Sequence, residues 1–160
     1  MITVDEALEK ILAVMDERGV LGTEMVALAD ATGRILRENV TADRDMPPFT
    51  RSAMDGYAVR AGDTRVAPVT LEVIEQIPAG HDPTRTVGPG QASKIMTGAQ
   101  LPAGADAVQM VEKTTTPGTD RVVVLAPVAP GEHVRNKGEE IARGAVLVEH
   151  VKIAKVAAAA

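Results

Sequence analysis

The sequence predicts a β-rich α+β fold with a single prominent helix at its N-terminus. Three observations carry that prediction. Val4, Leu8, Ile11, Leu12 and Met15 recur at helical spacing near the start of the chain. After Val40, breakers built from Pro and Gly interrupt the chain at short intervals: Pro78-Ala79-Gly80, Gly88-Pro89-Gly90, Pro102-Ala103-Gly104, Pro117-Gly118 and Pro130-Gly131. The runs between them are apolar and of strand length.

Each element has a local warrant. Thr3 followed by Glu6 is a capping-box pattern, and Asp5 and Glu6 suit the positive end of a helix dipole. The pattern predicts a helix over 3–18, stopped at Arg18-Gly19. Residues 24–28 read as a short strand. Residues 30–36 read as a short helix with Ile35 and Leu36 on its buried side, although Gly33 weakens that helix by ~1 kcal/mol relative to Ala. Pro47-Pro48 excludes helix. Strands are then expected over 69–77, 91–95, 107–111, 121–125 and 145–148. Val156 to Ala160 starts a helical pattern without a stop signal, which predicts that further sequence follows.

Composition narrows the function classes. A folded unit of 160 residues buries about 70% of the surface of its unfolded chain. With no Trp or Cys, one Phe and one Tyr, its core must be built from Val, Ala, Ile, Leu and Met. The absence of Cys excludes disulfides, thiolate metal sites and a cysteine nucleophile. An acidic N-terminus without an apolar h-region is no signal peptide, and no apolar run is long enough to span a bilayer. A soluble cytoplasmic protein is expected. A net charge of −5 disfavours general nucleic-acid binding but permits an anionic small ligand, given basic clusters at Arg34 to Arg37 and Arg135 to Lys137. His81, His133 and His150 form no zinc pattern, and neither a Walker loop nor a nucleophile elbow is present.

Three segments are candidates for chemistry. Asp45-Met46-Pro47-Pro48-Phe49-Thr50-Arg51-Ser52-Ala53-Met54-Asp55-Gly56-Tyr57-Ala58 holds both aromatic residues beside an acid, a base and hydroxyls. It reads either as a rigid connection followed by an Asp-Gly turn, or as a carboxylate, Asp55, beside a Gly that admits a ligand and able to hold Mg²⁺ or polarise a water. Lys94-Ile95-Met96-Thr97-Gly98-Ala99 is a strand entering a turn. Its Thr97 hydroxyl and neighbouring N–H groups either cap that turn or donate to an oxyanion. Val134-Arg135-Asn136-Lys137-Gly138-Glu139-Glu140-Ile141 is either a solvated ion-paired loop or a presentation of Arg135 and Lys137 to an anion with Glu140 nearby. A phosphohydrolase using Asp43, Asp45 and Asp55 is disfavoured, because Asp43-Arg44-Asp45 before Pro-Pro is a poor metal cage.

The order of these segments is more specific than any one of them. Gly33-Arg34-Ile35-Leu36, Pro47-Pro48-Phe49, Ser52-Ala53-Met54-Asp55-Gly56-Tyr57-Ala58, Ile95-Met96-Thr97-Gly98-Ala99, Pro102 to Val108 and Arg135-x-x-Gly138-Glu139-Glu140-Ile141 together resemble the N-terminal region of the MoeA family, to which the gephyrin C-terminal domain is related. The likeness covers essentially the whole chain. It implies a two-lobed fold of irregular, bifurcated β-sheets with an N-terminal helix and an inserted β-rich lobe. Domain I would comprise 1–44 and 132–160, and domain II 45–131, with the pterin-binding and β-barrel domains outside this chain.

The resemblance further implies molybdenum insertion from molybdate into adenylylated molybdopterin with Mg²⁺. It implies an elongated homodimer and a pathway partnership with molybdopterin adenylyltransferase. Carried over motif by motif, Asp55, Thr97 and Glu140 are catalytic candidates, with Asp55 the Mg²⁺ candidate. Ser52, Gly98, Arg135 and Lys137 are substrate-binding candidates. The family commonly has Gly-Glu-Asp where this chain has Gly138-Glu139-Glu140, which moves the charge by roughly one methylene. A non-catalytic scaffold of the same architecture is the competing expectation.

Overall fold

The computed structural model describes residues 2–18 and 22–149. The chain divides into two compact units, Met1–Val40 with Val148–Ala160, and Thr41–Leu147. These divisions fall at other positions than 44/45 and 131/132. Gly19, His150 and the helical pattern expected at 156–160 lie outside the described residues.

In the first unit, α1 spans Val4–Arg18. Its capping box forms as the sequence predicts: Glu6 N–H donates to Thr3 Oγ1 at 3.2 Å, and Thr3 N–H donates to Glu6 Oε2 at 2.8 Å. The apolar stripe through Leu8, Ile11, Leu12 and Met15 is exposed. Neither the strand expected over 24–28 nor the helix expected over 30–36 is present. A single 3-10 turn, Leu28–Asp30, occupies that stretch. Gly33 adopts φ 81°, left-handed backbone that ends any right-handed helix, and Ile35 is exposed, so no burial supports one. Arg34 instead pairs with Glu24 and donates to the Asp30 carbonyl.

The second unit carries the sheets. Its strands, with one shared at each end, are β1 (Val40–Thr41), β2 (Arg51–Ser52), β3 (Gly56–Val59), β4 (Val69–Ile77), β5 (Gln91–Ile95), β6 (Ala107–Met110), β7 (Thr114–Thr115), β8 (Arg121–Val124), β9 (Val134–Arg135) and β10 (Val146–Val148). β4 and β5 have the predicted bounds; β6, β8 and β10 are each one residue shorter than predicted. Six strands form one sheet in the order β6-β3-β5-β4-β8-β7, while β1 with β10 and β2 with β9 form separate two-stranded ribbons. Only the β4–β5 pair within the large sheet is parallel, and a register shift between Val73 and Glu75 kinks it. Glu75 there accepts bonds from Thr84 N–H at 2.8 Å and Thr84 Oγ1 at 2.6 Å, tying the β4–β5 crossover to the sheet.

Strand β3 is buried on both faces. Tyr57 and Val59 enter a core cluster with Leu71, Ala92, Val122 and Val124. Ala58 enters a second cluster with Ile77, Ile95, Ala99 and Val108, against which Val134 and Leu101 pack. Small side chains suffice because alternate residues of a central strand face opposite layers. Through Ala99 and Val134 this second cluster anchors two loops that bear charged or hydroxyl groups. No helix among the described residues is long and apolar enough to cross a membrane.

Candidate functional site

Asp55 sits on the three-residue link between β2 and β3, and Thr97 immediately follows the residue after β5. The antiparallel β3–β5 pairing places Gly56 opposite Ile95, which brings the two ends together across 42 residues of sequence. Asp55 Oδ1 accepts two bonds, from the Thr97 N–H at 2.7 Å and from Thr97 Oγ1 at 2.7 Å. The backbone bond first, and the hydroxyl bond second, hold the Asp55 carboxyl below the usual carboxylate range against a small opposing effect of burial. Both residues are exposed. The Thr97 donors, which the sequence makes available to an oxyanion, are therefore taken by Asp55. Oδ2 of Asp55 carries no hydrogen bond from a described residue.

Gly56 explains the Asp-Gly pair. It opens β3 and makes no hairpin. A Cβ there would enter the contact shell of the Gln109 carbonyl oxygen and stand 2.9 Å from its carbon and 3.1 Å from Met110 Cα. What approaches this glycine is the backbone of β6, not a ligand. The edge is further closed by Val111 N–H donating to the Asp55 carbonyl at 3.1 Å. At Gly98 the case is different: φ is 82°, and nothing lies within 4 Å of an added Cβ.

The Arg51-Ser52 segment joins this pair to the basic loop. On one side, Ser52 N–H donates to Ala99 O at 3.0 Å and Gly98 N–H donates to Ser52 O at 2.9 Å. On the other, β2 pairs antiparallel with β9, Arg51 opposite Arg135 and Ser52 opposite Val134. Ser52 is 1% exposed, and its Oγ donates to Met54 O at 2.6 Å and accepts from Met54 N–H at 3.2 Å. Its hydroxyl shapes the loop before Asp55. Ala53 N–H donates to the carbonyl of His133, a residue held at φ 59°.

The loop after β9 is moulded on the segment before β2. Lys137 N–H donates to Thr50 Oγ1 at 3.2 Å, Gly138 N–H to Pro47 O at 2.9 Å, and Glu140 and Ile141 N–H groups to Met46 O at 3.0 Å each. Asp45 Oδ1 accepts from Arg143 N–H at 2.9 Å, and Oδ2 lies 3.5 Å from Lys137 Nζ. The Arg143 bond and then the Lys137 charge lower the Asp45 carboxyl from its ordinary value, opposed by burial. Arg135 pairs with Glu139 at 3.0 Å, and Arg51 with Glu140 at 3.4 Å. Glu139 also accepts from Asn136 N–H at 2.7 Å, and that bond, followed by Arg135, lowers its carboxyl.

Asp55, Thr97, Ser52, Gly98, Arg135, Lys137 and Glu140 thus all lie in the second unit, linked through one segment. The acidic trio does not gather: Asp43 lies 3.5 Å from Arg44, Asp45 holds the 137–143 loop, and Asp55 holds Thr97. No group of three or more His, Cys, Asp or Glu suited to a metal occurs among the described residues. Sequence reasoning notes Arg51 only as a base just ahead of the motif at 52–58 and gives it no role, because a lone Arg beside Ser carries no spacing signal. It reaches Asp45 only as a metal ligand, because the partners of that residue are up to 98 residues away.

Comparison with known proteins bears on this arrangement. The family model of the MoeA N-terminal region (domain I and II) matches residues 2–160. A molybdopterin molybdenumtransferase of Bacillus subtilis (strain 168) is 42% identical over 154 residues, covering 92% of this chain and 35% of the relative. One from Nostoc sp. is 46% identical over 130 residues, covering 79% and 30% respectively. A crystal structure of a molybdopterin biosynthesis moeA protein from Pyrococcus horikoshii OT3 superposes with a TM-score of 0.75 at 44% identity, covering 81% of this chain and 35% of that one. The chain spans about a third of the length of the curated relatives it matches.

Proposed function

The chain belongs to the MoeA N-terminal-region family, and from that premise we propose that it is the N-terminal part of a molybdopterin molybdenumtransferase. On this reading, the complete protein moves molybdenum from molybdate to adenylylated molybdopterin in cofactor biosynthesis and releases AMP. The family's domain I would be 1–44 with 132–160, and its domain II 45–131. Assembly as a homodimer in the cytoplasm, and receipt of substrate from molybdopterin adenylyltransferase, belong to the same proposal.

The observation that carries the reading is the exposed Asp55–Thr97 pair, in which Oδ2 takes no bond from a described residue. Thr97 orients the Asp55 carboxylate with two donors and lowers its pKa further, so a negative oxygen, ionised at neutral pH like any free Asp, is held in place. Arg135 and Lys137 attract the anionic substrate, and Glu140 sets the local charge beside them. Ser52 acts through the turn it builds ahead of Asp55. Gly98 leaves open space where a side chain would stand.

The donor set fits Mg²⁺ held in the usual way for that ion, by one carboxylate oxygen with the remaining positions filled by water and substrate phosphate. When bound there, the ion supplies charge neutralisation at the phosphoanhydride. The test is Asp55→Asn in the complete gene product, including whatever is encoded beyond Ala160. Molybdenum insertion is expected to fall by about a hundredfold or more, as for other preorganised polar groups, with the circular dichroism spectrum unchanged. Wild-type turnover in that variant would remove Asp55 from the mechanism.

A further inference from the structure

We infer that Arg51 and Arg135 form a twin-guanidinium site for a tetrahedral oxyanion, with Glu139 and Glu140 as its resident counterions. The starting point is an electrostatic anomaly. In the two-residue β2–β9 ribbon, Arg51 and Arg135 are direct cross-strand partners. Directly opposed residues share one face with Cβ atoms about 4.5–5.5 Å apart, and like charges there repel. Backbone bonds to residues 98–101 brace β2 on its other edge, so the ribbon tolerates the pair, and the two cations stay side by side with only exposed counterions on them.

The neighbouring loop supplies the second, independent observation. Consecutive residues Glu139 and Glu140 each neutralise one guanidinium, Arg135 at 3.0 Å and Arg51 at 3.4 Å. The Arg51–Glu140 bond is long and single, and the Glu140 side chain is 53% exposed. Pairs of this kind are weak and readily exchanged. The two carboxylates bring two negative charges to the paired guanidiniums, each through a single N–O contact, and that is the charge of a dianionic oxyanion. The third cation of the face, Lys137, is already bound to Asp45 at 3.5 Å and contributes only from the side. The apolar support under the site is Val134, which packs on the second core cluster and fixes the ribbon.

The site rests on the transferase reading, under which such an anion has two sources: free molybdate, and the phosphate of an adenylyl group. Calorimetric titration of the complete gene product with sodium molybdate, and separately with AMP, distinguishes them. Arg51→Gln is expected to weaken binding of at least one by about tenfold or more, the equivalent of one charge-assisted hydrogen bond. Arg51→Lys should recover part of it. Glu140→Gln removes a competing charge and is expected to tighten the same anion. Unchanged affinity for both anions in Arg51→Gln, or no tightening in Glu140→Gln, overturns the inference. If Arg51→Gln fails to fold, the Glu140→Gln titration decides. Anion binding is read without turnover, so its failure is separable from a failure of the Asp55→Asn test.

Discussion

Replacing Gly56 by Ala separates two uses of glycine in this molecule. The added methyl would lie 2.9 Å from the Gln109 carbonyl carbon, against an ordinary carbon contact of about 3.5–4.0 Å. It would press harder still on the oxygen of the same carbonyl. Both obstacles are backbone in β6, so no side chain can swing aside. Relief requires β3 and β6 to separate by roughly half an ångström or more along their four-residue register, Gly56 to Val59 against Met110 to Ala107. Overpacking of a well-filled interior costs about 1–3 kcal/mol, and backbone obstacles place this case at the upper end or above, about 3–5 kcal/mol. Gly98→Ala is the control. Nothing stands near its Cβ, so only the φ of 82° resists, which costs about 1–2 kcal/mol. Urea denaturation of the two variants in the complete gene product, followed by circular dichroism, reads both values. Equal losses, or a smaller loss for Gly56→Ala, would refute the close-approach argument.

Two further predictions concern charge. In the folded chain the Asp55 carboxyl is depressed, so the stability it contributes is present above its unfolded value and is lost as pH falls through the folded one. Thr97→Val removes the hydroxyl donor and leaves the backbone donor, so the folded pKa should move upward and the acid limb of the activity profile with it. Thr97→Ser should restore both, and a carboxyl-resolved NMR titration that finds Asp55 unmoved in Thr97→Val would contradict the assignment. Asp45→Asn keeps an acceptor for Arg143 N–H but frees Lys137, whereas Asp45→Ala loses both partners. Hydrogen exchange at the Arg143 amide should accelerate in the alanine variant and stay near wild type in the asparagine variant. Equal exchange in the two would show that Asp45 does not fasten the loop.

The legible parts of the fold are those whose signals are local. The capping box at Thr3 and Glu6 and the bounds of β4 and β5 follow from residues within the elements themselves. Strand β3 is hidden because Asp55-Gly56 is also a turn signal, and the feature that decides between the two, the backbone of Gln109, is remote in sequence. Strands β1, β2 and β9 have two residues each, too few for alternation to register, whereas β10 falls within the expected 145–148. Residues 24–36 mislead because apolar spacing there does not mean burial: Ile35 is exposed. In the site, the Thr97 hydroxyl is legible as a donor, yet its partner is a carboxylate of this same chain. Arg51 shows the limit of motif reading: its meaning lies in the strand opposite.

The link between β2 and β3 is fastened at nearly every residue: Ser52 to Ala99 and Gly98, Ala53 to His133, Met54 to Ser52, and Asp55 to Val111 and Thr97. A segment so tethered has little conformational freedom left to surrender when a ligand arrives. On the proposed reading, capture at Asp55 would spend its interaction energy on the ligand itself and not on ordering the chain. The same stiffness makes the carboxylate intolerant of lengthening, since Asp55→Glu cannot move its backbone back to absorb the extra carbon.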